Sequence, residues 1–355
     1  MANSLRLSVI LVVIAGGLAA VDLSLKKLEQ VELGNAARRW YEEGSQALRS
    51  GKVDEAVDLL RRANSLARGN SVYELEYANA VMATRQYSEA GRLLDDVLLR
   101  EPNNGQANLM TARLMAKTGK LIDAPAYYHR AIYGEWKGET KQRQIAARLE
   151  LADFLAANGP RNELLPEALL LQEEAGGDPA SQLHIAHLFM LGGSAARAAE
   201  IYRARIKEHP GDVDAYEGLG EAELELGQYK ASGAAFLAAF RSKGGDVATR
   251  RRLELAGTMT ALDPTPRQMS SAEKYRRSLR ILELTIASRK RCPSSGELLP
   301  EAENAMAQPV PAHISNELAE DKLDLAEKVW KARLRACPLA AEDEPLRLIM
   351  EKLSQ

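Results

Sequence analysis

An all-α fold, a stacked array of amphipathic helix pairs, is the class this sequence predicts, and three observations predict it. The first is a period: Gly44, Ala78 and Ala112 stand 34 apart, as do Ala56, Ala90 and Ala124, and Ala63, Val97 and Ala131. A fixed period of about 20 to 50 residues marks repeats that each bury an apolar face against the next. The second is that the recurring residues are small, which places the closest helix contacts at one phase of each unit. The third is composition: aromatic residues make up 5% of the chain and β-branched residues are sparse after the first 21 positions, which favours helix. A length of 355 residues exceeds one ordinary core, but an array grows in one dimension and escapes that limit. Net charge is −2, from 47 basic and 49 acidic residues, so no global field gathers nucleic acid or anionic lipid. The partners expected are proteins, with no nucleic acid and no small-molecule substrate.

The amino terminus differs from the rest. Leu7 to Val21 is 15 residues without a charge, between Arg6 and the polar group Asp22, Lys26 and Lys27. As a helix it spans roughly 22 Å, short of the ~30 Å hydrocarbon core of a bilayer. That length suits a signal-peptide core, whereas Leu5, Leu23 and Leu25, with Arg6 and Lys26 snorkelling, would extend it to an uncleaved anchor. Three readings stay open here: a signal-anchor, which is preferred, a cleaved signal, and a buried core helix. The positive-inside count, Lys26, Lys27, Arg38 and Arg39 against Arg6 and the amino group, would keep the body cytoplasmic. The short basic start before an apolar run instead resembles a bacterial secretory signal or signal-anchor, and two cysteines suit an oxidising compartment. The expectation is a single-pass inner-membrane protein with its body in the periplasm. Residues 1–33 then form anchor and stalk, since Val21, Leu25, Leu28 and Val31 keep a helical rhythm as far as Leu33.

Residues 34–246 divide into six units. The first, Ala37 to Asn70, supplies Trp40, Gly44, Gly51, Ala56, Leu60 and Ala63. The second, Ser71 to Asn104, has Tyr77-Ala78, Tyr87, Ala90, Leu94 and the stop Pro102-Asn103-Asn104. The third, Gly105 to Gly138, has Ala112, Gly119, Ala124, Tyr128 and Ala131, and Pro125 requires its second helix to start near Ile122 or Asp123. A fourth, with Leu151-Ala152, Gly159, Ala168 and Ala175, fits if about four residues around Pro160 to Glu163 are inserted between its helices. The fifth, Pro179 to Asp212, has Ile185-Ala186, Gly193, Ala198, Tyr202 and Pro210. The sixth, Val213 to Asp246, has Tyr216, Leu219-Gly220, Gly227, Tyr229, Phe236 and Ala239. These marks resemble the tetratricopeptide repeat, a pair of antiparallel helices with Trp, Leu-Gly and Tyr in the first, Ala, aromatic and Ala in the second, and Pro at the exit. The resemblance implies a right-handed superhelical solenoid.

Residues 247–355 form a divergent helical cap. Thr249 to Leu262 reads as a first helix, Asp263-Pro264-Thr265-Pro266 breaks the chain, and Ser270 to Arg291 gives a longer helix capped by Ser270 or Ser271, with Glu273 placed to complete a capping box. A Pro-rich link, Pro293 to Pro311, leads to a helix from Ile314 to Ala336 and a short last one from Pro345 to Leu353.

In the family resembled, first helices line the concave surface that takes a partner segment. That places Arg38, Tyr41, Ser45 and Arg49 of the first unit on the groove, then Leu75, Asn79 and Met82, then Arg113 and Lys117, Asp153, and Leu183, His187 and Met190. The sixth unit adds Asp214, Glu217, Glu221 and Glu225, so the groove runs from basic to acidic, against the plain alternative of solvated helix faces. The Lys and Asn set with which some members grip a carboxy-terminal carboxylate is absent, since Tyr41, Ser45 and Glu76 hold the matching positions. His184 and His187 lack the further ligands that a metal site needs, and no nucleophile, phosphate or dinucleotide motif is found. No cofactor, metal or enzymatic activity is expected. Cys292 and Cys337 each close a helix just before a proline; they pair if those helix ends adjoin and are otherwise free buried thiols. The function expected is a non-enzymatic scaffold or adaptor that binds a protein segment at the membrane. The alternative is a structural subunit of a membrane complex that uses the convex face and the cap.

Overall fold

The chain reverses in nearly the same way in every repeat. After the first helix of a pair comes a residue with left-handed backbone, Gly51, Gly119, Gly193 and Gly227 at φ of 76, 78, 79 and 68°. Glycine takes this conformation at no steric cost. In the second pair the equivalent residue is Arg85, at φ 61°. Between pairs a second device recurs: the side chains of Asn70, Asn104, Asp178, Asp212 and Asp246 each accept a hydrogen bond from a backbone amide two or three residues on, capping the next first helix. The computed structural model describes residues 2–159, 161–175, 177–242, 245–292 and 298–354, and no side chains at 2–24, 161, 179 or 180.

Two compact units divide the chain, residues 1–158 and 159–355. The first holds α1 (Ala2–Arg49), α2 (Val53–Leu66), α3 (Ser71–Ala83), α4 (Tyr87–Arg100), α5 (Gly105–Lys117), α6 (Ala124–Ile132) and α7 (Thr140–Asn158). Each helix packs on the next, and the first helices α1, α3 and α5 also lie side by side. The core runs between the layers: Ala56, Leu60, Ala78, Val81, Ala90, Leu94 and Val97 are sealed from solvent. The repeated small residues thus sit where the helices touch, which is the packing the period predicts.

The second unit holds α8 (Arg161–Ala175), α9 (Pro179–Leu191), α10 (Ala195–Glu208), α11 (Val213–Glu225), α12 (Tyr229–Ser242) and α13 (Val247–Leu262). It continues with α14 (Ser271–Lys290), α15 (Leu298–Ala307), α16 (Asn316–Ala336), a 3₁₀ turn at Ala341–Asp343, and α17 (Glu344–Leu353). Its carboxy-terminal part has a core of its own, in which Met259, Ile281, Leu282, Ala302, Ala326, Val329, Trp330, Ile349 and Met350 are buried.

All of this is helical, with no strand among the described residues. Several expectations shift in detail. The segment read as a Pro-rich link contains α15, because its Pro300 falls in the first turn, where a proline is tolerated. Pro125 likewise falls in the first turn of α6, which begins at Ala124. Ser270 does cap α14 by accepting from the Glu273 amide. The capping box does not close: the Glu273 carboxylate is held by Arg276 and Arg277 at 2.6 and 2.7 Å. The insertion expected at Pro160 to Glu163 begins at a residue outside the described ones. Helix α1 continues unbroken from the apolar run through Gly34 into the first pair. No helix among the described residues is long and apolar enough to cross a membrane. The expected anchor, Leu7 to Val21, falls where no side chains are described.

Candidate functional site

The residues expected to line a groove divide between the two units. In the first unit, the first helices α1, α3, α5 and α7 and two inter-pair loops line a concavity of about 720 Å³. Its floor is apolar, Leu75 from α3 and Met110 from α5. One wall is Tyr41 of α1, whose ring stacks on Tyr73 at 4.6 Å between centroids. Burial pushes the Tyr41 hydroxyl above its ordinary pKa.

The opposite wall is Trp136, which no helix carries. Its loop is pinned to the loop before α5 by a short parallel bridge, in which the Gly105 amide donates to Glu135 O at 2.8 Å and the Glu135 amide to Asn103 O at 2.7 Å. The indole Nε1 donates to Ala131 O at 2.8 Å. The ring lies flat against Gly105, where a Cβ would come within 2.4 Å of it. Arg143 covers the ring, its guanidinium 5.8 Å from the centroid.

The rim is polar and only partly committed. Glu101 accepts from the Ser71 hydroxyl and from Asn104 Nδ2, and these two bonds hold its carboxyl below the usual range. Arg100 pairs with the buried Glu74. Asn79, Asn103, Gln106, Lys137 and Arg143 remain to face a ligand. Apolar floor, aromatic walls and rim amides together suit an extended polypeptide, whose main chain needs donors and acceptors and whose side chain needs a dry seat.

Of the first-unit residues expected on the groove, Tyr41, Leu75 and Asn79 line this concavity. Ser45 and Met82 are buried, Met82 in the core. Arg38, Arg49 and Lys117 are exposed outside it. Arg113 joins two first helices, bonding Glu150 of α7 through Nε at 2.8 Å. Asp153 is exposed on α7. Trp136, Gln106 and Arg143 were not anticipated; the signal for them was Gly105, a glycine at a helix start where the other units have larger residues.

In the second unit, His187 is exposed and Leu183 and Met190 are half-buried. Asp214 is exposed, but the rest of the acidic row is engaged within the chain. Glu217 accepts from Thr249 Oγ1 at 2.5 Å, and Glu221 pairs with Arg252 Nε at 2.8 Å. Burial raises the Glu221 pKa, Arg252 opposes that, and Glu225, Glu344 and Glu217 add to it. Glu225 lies beside α17.

The two cysteines are joined, with Cα atoms 5.9 Å apart, at the carboxy-terminal ends of α14 and α16. Beside them Arg333, 2% exposed, donates to Ser288 Oγ, Cys337 O, Pro338 O and Asp343 Oδ2 at 3.0, 2.6, 2.8 and 2.7 Å. No group of three or more metal-ligating side chains occurs among the described residues.

Profiles of the tetratricopeptide-repeat family match residues 47–117 and 184–246. No match was found among curated proteins. Among solved structures, the chain is similar to YrrB, described as a TPR protein with an unusual peptide-binding site, at 12% identity over 55% of this chain and 97% of that one, with a TM-score of 0.45. A tetratricopeptide repeat protein from Parabacteroides merdae matches at 15% identity over 82% and 99%, with a TM-score of 0.44. PilF of Pseudomonas aeruginosa matches at 12% identity over 62% and 97%, with a TM-score of 0.45.

Proposed function

Since the chain carries tetratricopeptide repeats over residues 47–117 and 184–246, we propose that it is a non-enzymatic scaffold that binds a protein segment on its first-helix face. The single observation that carries this reading is the concavity walled by Tyr41 and Trp136. A bound segment lays an apolar side chain on Leu75 and Met110 while its main chain meets Asn79, Asn103 and Gln106. Acidic side chains of the segment are favoured near Lys137 and Arg143. No step of bond-making is required of any residue; binding energy does the work.

The second part of the proposal is a place in the cell. The uncharged run Leu7 to Val21 with its basic start supports a membrane anchor, with the repeats on the periplasmic side, where it would raise the local concentration of a membrane-bound partner. A compartment-specific reporter fused after Gln355 checks this; signal from a cytoplasm-only reporter would contradict it. The binding reading is checked by affinity capture from solubilised membranes with the full chain, comparing wild type, Trp136→Ala and Leu99→Ala. Leu99, on a second helix, is 84% exposed. The captured protein is expected to be lost with Trp136→Ala and kept with Leu99→Ala; equal capture by all three sinks the reading.

A further inference from the structure

The concavity between Tyr41 and Trp136 constrains the backbone of whatever lies in it. Its floor is shallow: Leu75 and Met110 are 9% and 3% exposed, so the row of long apolar anchors on an amphipathic helix finds no pockets to fill. A β-strand finds no edge. No strand occurs among the described residues, and the two loops that line the site bond to each other, Gly105 N to Glu135 O and Glu135 N to Asn103 O. What the site offers a main chain is a few side-chain amides, Asn79, Asn103 and Gln106. It also offers two fixed aromatic rings. Tyr41 is backed by Tyr73 at 4.6 Å between centroids, and the Trp136 N–H is already given to Ala131 O.

We propose that the segment recognised here is proline-rich, in the polyproline II conformation, with an acidic residue at one flank. This rests on the binding reading above and names the chemistry of its ligand. A polyproline II backbone has no internal hydrogen bonds, and each proline removes one N–H, so such a chain asks for donors at its carbonyls and for few acceptors. Three amide side chains meet that demand; they would not satisfy a full strand. Proline rings are short enough to lie on the shallow floor and flat enough to stack on Tyr41 and Trp136, as such segments do in aromatic-lined grooves. Their backbone is also largely ordered before it binds, which lowers the entropy lost on docking.

The flank follows from charge. Lys137 and Arg143 line the Trp136 side, and both are exposed. Glu101, the acid bonded into that rim, is held by the Ser71 hydroxyl and Asn104 Nδ2 rather than by either cation. Arg143 rests over the Trp136 ring at 5.8 Å, a weak contact at an exposed site that yields when the guanidinium turns to a ligand carboxylate. At the other end Glu76 lies close enough to Tyr41 to act on its hydroxyl, so an acid there would be repelled and the ligand's acid belongs to one flank.

The test uses the full-length protein, isothermal calorimetry and two synthetic peptides, Glu-Pro-Pro-Pro-Pro-Pro-Pro and Pro-Pro-Pro-Pro-Pro-Pro-Glu, acetylated and amidated, whose prolines span about 19 Å. One of the two orders should bind below about 1 mM. The same peptide with alanine for every proline should bind at least about 10-fold more weakly, for want of the ordered backbone, and with lysine for glutamate severalfold more weakly. Trp136→Ala and Tyr41→Ala, each checked for helix content by circular dichroism, should abolish binding, and Leu99→Ala should leave it unchanged. Alanine or lysine peptides that bind as tightly, binding indifferent to both aromatic variants, or no binding of either order up to about 1 mM would each overturn the proposal. No cellular partner enters the assay, so a partner captured through Trp136 alongside peptides that fail to bind would sink this inference and leave the broader reading standing.

Discussion

Replacing Cys292 and Cys337 by serine isolates what the bridge between them contributes. The crosslink joins residues 45 apart, and a loop of that length, held closed in the unfolded chain, costs it about 13 cal/mol/K, or about 4 kcal/mol at 25 °C. The folded state gives no reason for a discount, since the 5.9 Å between Cα atoms lies within the range in which a disulfide forms without moving the backbone. For a urea slope of about 2 to 3 kcal/mol/M, the unfolding midpoint of the carboxy-terminal part should fall by roughly 1.3 to 2 M. Circular dichroism during urea titration of wild type, the double serine variant and wild type in excess dithiol would read it, and the last two should coincide. A shift below about 0.5 M would refute the reasoning, as would a native mass corresponding to two free thiols.

Other perturbations test the remaining structure. Gly105→Ala should destabilise by about 1–3 kcal/mol through overpacking and move Trp136, seen as a change in tryptophan emission; unchanged emission would contradict the contact described. Arg85→Gly should stabilise by about 1 kcal/mol, because only glycine holds φ 61° without cost, measured as a raised thermal midpoint. Asp343→Asn leaves the buried Arg333 guanidinium without its ion pair and should cost about 3–5 kcal/mol. In the native chain, burial pushes the Asp343 carboxyl up, but hydrogen bonds from Ser288 and the Ala340 amide and the charges of Arg291 and Arg333 outweigh it and hold it low. The stability it supplies is therefore complete above the ordinary aspartate range and fades as pH falls through the depressed value. The Asn variant should lose that acid dependence, which acid titration of both proteins would show.

How far the sequence was legible depended on the range of the contact. The repeat was visible because each unit solves the same packing problem, so Ala56, Ala90 and Ala124 recur where α2, α4 and α6 bury them. The capping row from Asn70 to Asp246 has the same 34-residue spacing within each regular run and could have been read too. Trp136 was signalled only indirectly, by Gly105 at the start of α5, whose missing Cβ leaves room for the ring. The acidic row from Asp214 to Glu225 was read as an open groove, while Glu217 and Glu221 are engaged by Thr249 and Arg252. Nothing in the spacing of those residues signals that α17, more than a hundred positions later, folds back beside them. Helix α15 was hidden by the prolines around it and by Pro300, which sits in its first turn without interrupting it.

Binding of a protein segment across Tyr41 and Trp136 is the central claim, and site-specific photocrosslinking in native membranes tests it most directly. A photoreactive residue at Asn79, on the rim of the concavity, should give a discrete crosslinked protein, and the same residue at Leu99 should not. Crosslinks of equal yield from both positions, or from Leu99 alone, would contradict the account.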